Sequence, residues 1–196
     1  MRIAVIGTGN VGSALAPAFD RAGHEVIFGV RDPADPKHAD AALPIRSTRD
    51  AAAWAQIVVL AVNWAQVDAA LADCADLSGK ILIDCTNPLA FGPDGISLVL
   101  GFDTSGGEIV ATKTTAKVVK TLNHVGSPVM EIAHRYAARP LQFVCGEDAA
   151  AGQEELRDVR GGEFVKHGGA VPRRPDEAGP AQDAELLGQV RGLHLD

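Results

Sequence analysis

Three glycines, Gly7, Gly9 and Gly12, with Thr8, Asn10 and Val11 between them, form a G-x-G-x-x-G turn directly after the apolar run Arg2-Ile3-Ala4-Val5-Ile6. Between a strand and a helix, that spacing suits a pyrophosphate. Gly7 permits the tight turn, Gly9 lets the backbone approach the phosphates, and Gly12 lets the helix pack close to the strand. The helix N-terminus adds free N–H groups and a partial positive charge. A turn that only packs a helix on a sheet would show the same three glycines, so the strand before them and the helix after them carry the reading.

The end of the second strand should choose the cofactor, because an Asp or Glu there holds the ribose 2′-hydroxyl of NAD. Here it reads Phe28-Gly29-Val30-Arg31-Asp32, and counting from the turn at Gly23 the acidic position falls on Val30. No carboxylate there repels a 2′-phosphate, and Arg31 offers a planar fork suited to one. NADP(H) is therefore expected. Asp32 argues the other way, since a shift of two residues would set it on the ribose. Lys37, in the loop beyond, is either a second phosphate contact or a solvated residue.

Other chemistry is sparse. The 6 histidines and 3 cysteines form no H-E-x-x-H, C-x-x-C or similar ligand spacing, so no bound metal is expected. No G-x-S-x-G elbow supports nucleophilic hydrolysis. Dehydrogenases of hydroxy acids need a general acid or base over the substrate, and only Lys120 and His124 are candidates. Hydride exchange between two organic cofactors needs neither, because the protein then supplies orientation and exclusion of water. The scarcity of proton donors favours that redox reading over a carbonyl or imine reductase.

The elements that must position these residues alternate between β-branched runs and alanine-rich stretches of helical length, the pattern of βαβ units on a parallel sheet. Strands are expected at Arg2–Ile6, Glu25–Gly29, near Ile45, and at Ile57–Val62, Lys80–Asp84, Lys117–Thr121, Leu141–Cys145 and Glu163–Lys166. Helices are expected at Val11–Ala22, Asp50–Ala55, Trp64–Ala75, Gly107–Thr112, Val129–Ala138 and Ala149–Arg160. Pro17 falls inside the first helix, where it removes a hydrogen bond. The fold class is α/β: a Rossmann-type, doubly wound, mainly parallel sheet over residues 1–146, with a small C-terminal extension at 147–196 that turns atypical from about residue 161.

With 196 residues the chain fits one domain and an appendage, and Lys plus Arg total 18 against 25 for Asp plus Glu. A net charge of -7 without a basic tract argues against a nucleic-acid partner. Apolar runs such as Ile57–Val62 are far shorter than the roughly 18 residues that span a bilayer, and no export signal is visible, so a cytoplasmic protein without membrane partners is expected. Cys74, Cys85 and Cys145, each flanked by apolar residues, are expected as buried, reduced thiols. The Pro- and Gly-rich stretch from Gly161 to Gly179 is ill suited to pack within its own chain, and a lone Rossmann domain leaves one side of its cleft open. A homodimer is expected.

Taken in order, Ile6-Gly7-Thr8-Gly9-Asn10-Val11-Gly12, Gly23-His24-Glu25-Val26, Arg31-Asp32-Pro33, Ala61-Val62-Asn63-Trp64, Asp84-Cys85-Thr86-Asn87-Pro88 and Val118-Val119-Lys120-Thr121-Leu122-Asn123 look like the successive motifs of the coenzyme F420-dependent NADP oxidoreductase family. The resemblance covers about the first three quarters of the chain. It implies a Rossmann domain whose small C-terminal extension folds against the cofactor cleft. It also implies reversible hydride transfer between NADPH and an 8-hydroxy-5-deazaflavin, although the family includes members with other acceptors. Position by position, it assigns Thr8 to Gly12 to the pyrophosphate and Arg31 to the 2′-phosphate. It sets Ala61, Val62 and Asn63 along the ribose and nicotinamide, and Asn87-Pro88 and Asn123-His124 toward the reacting rings. Val30 stands in place of a frequent serine, Asn63 of a common proline, Glu185 of a basic residue and Gly188 of an acidic one.

Three functions are then open: an NADPH-dependent oxidoreductase acting on coenzyme F420 or a similar flavin-like, small-molecule acceptor; an NADPH-dependent reductase of a small imine, quinone or metal chelate; or a non-catalytic NADP(H)-binding redox sensor.

Overall fold

The computed structural model describes residues 1–93, 95–137, 142–146 and 165–166. In chain order its elements are β1 (Arg2–Ile6), α1 (Asn10–Arg21), β2 (Glu25–Val30), β3 (Ile45–Ser47), α2 (Thr48–Trp54), β4 (Ile57–Leu60), α3 (Val67–Cys74), β5 (Ile81–Asp84), β6 (Leu89–Gly92), β7 (Gly95–Leu98), α4 (Gly106–Ala111), β8 (Lys117–Thr121), α5 (Ser127–Ile132), β9 (Phe143–Cys145) and β10 (Val165–Lys166). Short 3-10 turns at Pro36–His38, Trp64–Gln66 and Ala133–Arg135 join them.

Eight strands form one sheet in the order β10-β9-β8-β5-β4-β1-β2-β3. From β3 to β8 every neighbour is parallel, whereas β9 runs antiparallel to β8. The chain starts at β1, winds outward through β2 to β3, then returns to β4 on the other side. That reversal leaves a crevice outside the carboxyl ends of β1 and β4, where open α/β sheets bind ligands.

Two-sided burial explains the unbroken apolar runs. Ile3 and Val5 enter one core with Leu15 and Phe19 of α1 and Met130 of α5. Ala4 and Ile6 enter the other with Ala51 and Ala52 of α2, Leu71 of α3 and Val110 of α4. All four strand residues are nearly inaccessible, so β1 is the spine of both layers.

Several expected boundaries move. Helix α1 runs through Pro17 unbroken. The proline removes the bond to the Ser13 carbonyl, but Ser13 is exposed and water can take that acceptor, while Leu15, Ala16 and Phe19 stay buried. Helix α2 begins at Thr48, because Ser47 caps it by accepting from the Asp50 N–H at 3.1 Å. The helix expected from Trp64 opens as a 3-10 turn and becomes α3 at Val67. The β6–β7 hairpin has no counterpart among the expected elements, although Gly92-Pro93-Asp94-Gly95 between apolar runs is a turn signal. The helix expected at Ala149–Arg160 and the extension from 147, except Val165–Lys166, lie outside the described residues. Among the described residues no helix is long and apolar enough to cross a membrane.

Cys74 and Cys85 are buried as expected, but Cys145 is exposed, since it ends the short strand β9 near the sheet margin. Burial pushes the Cys74 thiol up to about 11. In the native protein at pH 8, iodoacetamide should label Cys145 first and leave Cys74 and Cys85 unmodified until denaturant is added. Peptide mass mapping checks this, and equal labelling of all three would contradict the packing.

Candidate functional site

The glycine turn is built by close backbone approach. Gly7 has φ +105°, a left-handed conformation that favours glycine, and a Cβ there would stand 2.6 Å from the Ala61 carbonyl oxygen. The Ala61 N–H donates to the Ile6 carbonyl at 3.0 Å, and the Gly7 N–H to the Gly29 carbonyl at 3.1 Å. Three strand ends, those of β1, β2 and β4, are thereby joined at one point, and the sequence candidates Gly7 to Gly12, Arg31, and Ala61 to Asn63 come together there.

Helix α1 opens onto this point without a side-chain cap and without an acidic residue in its first turn. Its first internal bond runs from the Ser13 N–H to the Gly9 carbonyl at 2.9 Å, so the amides of Asn10, Val11 and Gly12 have no intrahelical acceptor. Gly9 is the informative residue. Its φ of -73° is open to any side chain, and an added Cβ would meet nothing within 4 Å. Packing among the described residues gives no reason for glycine here, and the open helix end has the form that suits a phosphate group.

Beside the turn, Val30 is a buried residue that closes β2, and Arg31 follows it into solvent. Among the described residues no acidic side chain pairs with Arg31. Asp32 does not point its carboxylate freely: its Oδ1 accepts from the Ala34 N–H at 3.0 Å, an Asx turn. Lys37 is held by Asp35 at 2.6 Å in an exposed 3-10 turn, and no described contact brings it to Arg31. The Lys37 ammonium and N–H together hold the Asp35 carboxyl below its usual range.

The far side of the crevice is set by β5 and β8. Asn87 donates from Nδ2 to the Asn123 carbonyl at 2.9 Å, and Asn123 donates from Nδ2 to Asn87 Oδ1 at 3.2 Å. This reciprocal clamp ties the two loops that carry Asn87-Pro88 and Asn123-His124. Leu122, just before it, has φ +68°, a conformation that costs a non-glycine residue about 1–2 kcal/mol. Buried packing holds it there, since Leu122 is only 1% exposed. The His124 ring lies 5.0 Å from the Phe143 ring, and its Nε2 accepts from the Phe143 N–H at 3.4 Å.

Lys120 sits beneath the clamp, not in the open crevice. Its ammonium is 3.0 Å from Asp84 Oδ2 and also donates to the Thr86 carbonyl. Asp84 Oδ1 accepts from the Thr86 N–H at 2.8 Å and from its hydroxyl at 2.7 Å. The Asp84 side chain is fully buried and that of Lys120 is 13% exposed. Asp84 and Thr86 were missed as partners for Lys120, though a carboxylate closing the apolar strand Ile81-Leu82-Ile83-Asp84 signals a buried charge that needs a cation. Among the described residues no group of three His, Cys, Asp or Glu could hold a metal ion.

The family described as NADP oxidoreductase, coenzyme F420-dependent, matches residues 2–88. A solved protein from Arthrobacter sp. FB24, described as an F420-dependent NADP reductase, is 37% identical over 82% of this chain and 80% of its own, with a TM-score of 0.71. A hypothetical protein of Sinorhizobium meliloti is 29% identical over 84% and 83%, also at 0.71. The Plasmodium falciparum pyrroline carboxylate reductase with NADP bound shares the fold at 16% identity and a TM-score of 0.56, and this chain spans only 54% of its length.

Removing one partner of a buried ion pair leaves an uncompensated charge, a loss of about 3–5 kcal/mol. Lys120→Met should therefore lower unfolding free energy by about that much in urea melts. Adding Asp84→Asn, which keeps an acceptor for Thr86 but carries no charge, should recover more than half of the loss. Equal stability of Lys120→Met and the parent would show that the pair carries no such role.

Proposed function

Because the chain belongs to the coenzyme F420-dependent NADP oxidoreductase family, whose members are NADP-dependent oxidoreductases, we propose that it passes a hydride between NADP(H) and a deazaflavin of the coenzyme F420 kind or another flat, flavin-like acceptor. We take it to act as a homodimer in the cytoplasm. The observation that carries the cofactor half is the uncapped helix end at Gly9, where a side chain would meet only open space.

When bound, NADPH supplies the hydride from its nicotinamide ring. In this reading the amides of Asn10, Val11 and Gly12 hold the pyrophosphate, with Thr8 and Gly9 forming the approach. Arg31 pairs with the 2′-phosphate, the buried Val30 raises no opposing charge, and Asp32 is kept away by its turn with Ala34. Ala61, Val62 and Asn63 lie along the ribose and nicotinamide. Asn87-Pro88 and Asn123-His124 bound the reacting rings, and their mutual hydrogen bonds keep the two loops from closing the gap or drifting apart. No side chain of the crevice is asked to move a proton: Lys120 is committed to Asp84 and Thr86, and His124 accepts from Phe143 through Nε2. Orientation and exclusion of water are what these residues contribute.

Two measurements test the reading. Fluorescence titration should show tighter binding of NADPH than NADH, and Arg31→Ala should cost about 1.5–3 kcal/mol of NADPH affinity with little change for NADH. Equal affinities in the parent would remove Arg31 from the site.

Following nicotinamide absorbance with coenzyme F420 and a panel of flavins, quinones and imines should show turnover with the flavin-like acceptors. Binding without turnover on any of them would point to a redox sensor. His124→Ala should slow the reaction by less than about 10²-fold and leave the shape of the pH profile unchanged, because losing a true general acid removes about 10²- to 10⁴-fold and one limb. A lost limb would favour imine or quinone reduction.

A further inference from the structure

Ser13 bonds two consecutive carbonyls at the mouth of α1. Its N–H donates to the Gly9 carbonyl at 2.9 Å, the first bond of the helix, and its hydroxyl donates to the Thr8 carbonyl at 3.0 Å. A helical serine turned back on its own helix reaches the carbonyl three or four residues before it. The Ser13 hydroxyl reaches past Gly9 to Thr8, which lies outside α1. It thereby continues the ladder of bonds one step beyond the helix end.

A planar trans peptide points its C=O and N–H in opposite directions. None of the described peptide bonds is cis, so holding the Thr8 carbonyl also aims the Gly9 N–H. The carbonyl is drawn along α1 toward Ser13, and the Gly9 N–H is therefore set the opposite way, back past the start of the helix. That is the sense in which the amides of a first helical turn point. Among the described residues the Gly9 N–H donates to no acceptor, and no second donor reaches the Thr8 carbonyl.

Without the hydroxyl this peptide has little to hold it. Gly9 is exposed, a Cβ on it would meet nothing within 4 Å, and glycine turns readily about its own φ. Rotation of the Thr8–Gly9 peptide would bring a carbonyl oxygen to the helix end in place of an N–H, and an oxygen there repels an anion. The hydroxyl of Ser13 decides between the two orientations.

We propose that Ser13 is a positioning residue for the pyrophosphate: by holding the Thr8 carbonyl it turns the Gly9 N–H into a fourth donor beside those of Asn10, Val11 and Gly12. This deepens the cofactor reading above and rests on it.

Calorimetric titration of the full chain with NADPH and with NADH tests the assignment. Both nucleotides carry the pyrophosphate, so Ser13→Ala should raise Kd for both by the same factor, about three- to tenfold, the worth of one hydrogen bond. Ser13→Thr, which keeps the hydroxyl, should bind both as the parent does. The site is exposed and alanine is the better helix former, so Ser13→Ala should melt at or above the temperature of the parent. Weaker binding with undiminished stability is the signature of positioning. Unchanged affinity in Ser13→Ala overturns the inference alone, and so does a loss confined to NADPH, which would trace to the 2′-phosphate. Failure of Ser13→Thr to restore binding, or a fall in melting temperature alongside the loss, would mark a role in the fold and also overturn it. A parent that binds neither nucleotide overturns the cofactor reading, and this inference with it.

Discussion

Helix α1 leaves the sheet so close to β1 that a Cβ on Gly12 would lie 2.0 Å from the Gly7 carbonyl oxygen and 3.3 Å from Val5 Cγ1. Only glycine tolerates that contact, and the consequences spread from it. With α1 seated this tightly, its N-terminus opens at the crevice between β1 and β4, where the amides of its first turn have no intrahelical acceptor. The same approach brings the Ala61 carbonyl over Gly7, which fixes the loop after β4 against the turn. Gly29 extends the pattern to β2, because a Cβ there would stand 2.5 Å from Ile6 Cδ1. The near half of the crevice is thus held by glycines packed against backbone at Gly7 and Gly12 and against the Ile6 side chain at Gly29.

The far half is held differently. At β5 and β8 the contacts are polar: Lys120 to Asp84 and Thr86 below, Asn87 to Asn123 above. A buried pair of this kind is weak evidence for net stability, since desolvation offsets much of the attraction. What it supplies is a single register, because moving β8 by one residue would strand the Asp84 carboxylate without its cation. The strained Leu122 depends on that register, and through it the place of Asn123 and His124. Lys120 is therefore engaged by Asp84 and Thr86, contacts that its residue type alone does not reveal.

How much of this was legible in the sequence follows from the range of each signal. The strands β1, β2, β4, β5 and β8 are short apolar runs bounded by glycine or polar residues, and they were found within two residues at their ends. The glycine turn was legible because its spacing repeats a local geometry. Pairings across the sheet were not: Lys120 and Asp84 stand 36 residues apart, and nothing local links them. Cys145 reads as apolar in its surroundings, yet its exposure depends on where β9 falls in the sheet, which is a global fact. The hairpin was a different failure, since Pro93-Asp94-Gly95 announced a turn and the alternation of Leu89, Phe91, Ile96 and Leu98 announced two strands. No element is expected between Asp84 and Gly107, because a continuous α/β alternation leaves no place for an inserted hairpin.

Cofactor choice shows most sharply where counting ends and geometry begins. Counting from Gly23 sets Val30 at the acidic position, but a two-residue shift would set Asp32 there, and composition cannot decide between them. Two contacts bear on it. The Gly7 N–H bonds the Gly29 carbonyl, which fixes the end of β2 against the turn, so Val30 and Arg31 are the next residues past the glycine turn. Asp32 Oδ1 accepts from the Ala34 N–H, so the carboxylate is engaged in closing its own turn. With the acid engaged and Lys37 paired to Asp35, Arg31 is the charge left at the strand end. The proposed pairing of Arg31 with a 2′-phosphate then turns on a local competition for the Asp32 carboxylate, in which the Ala34 N–H already holds Oδ1.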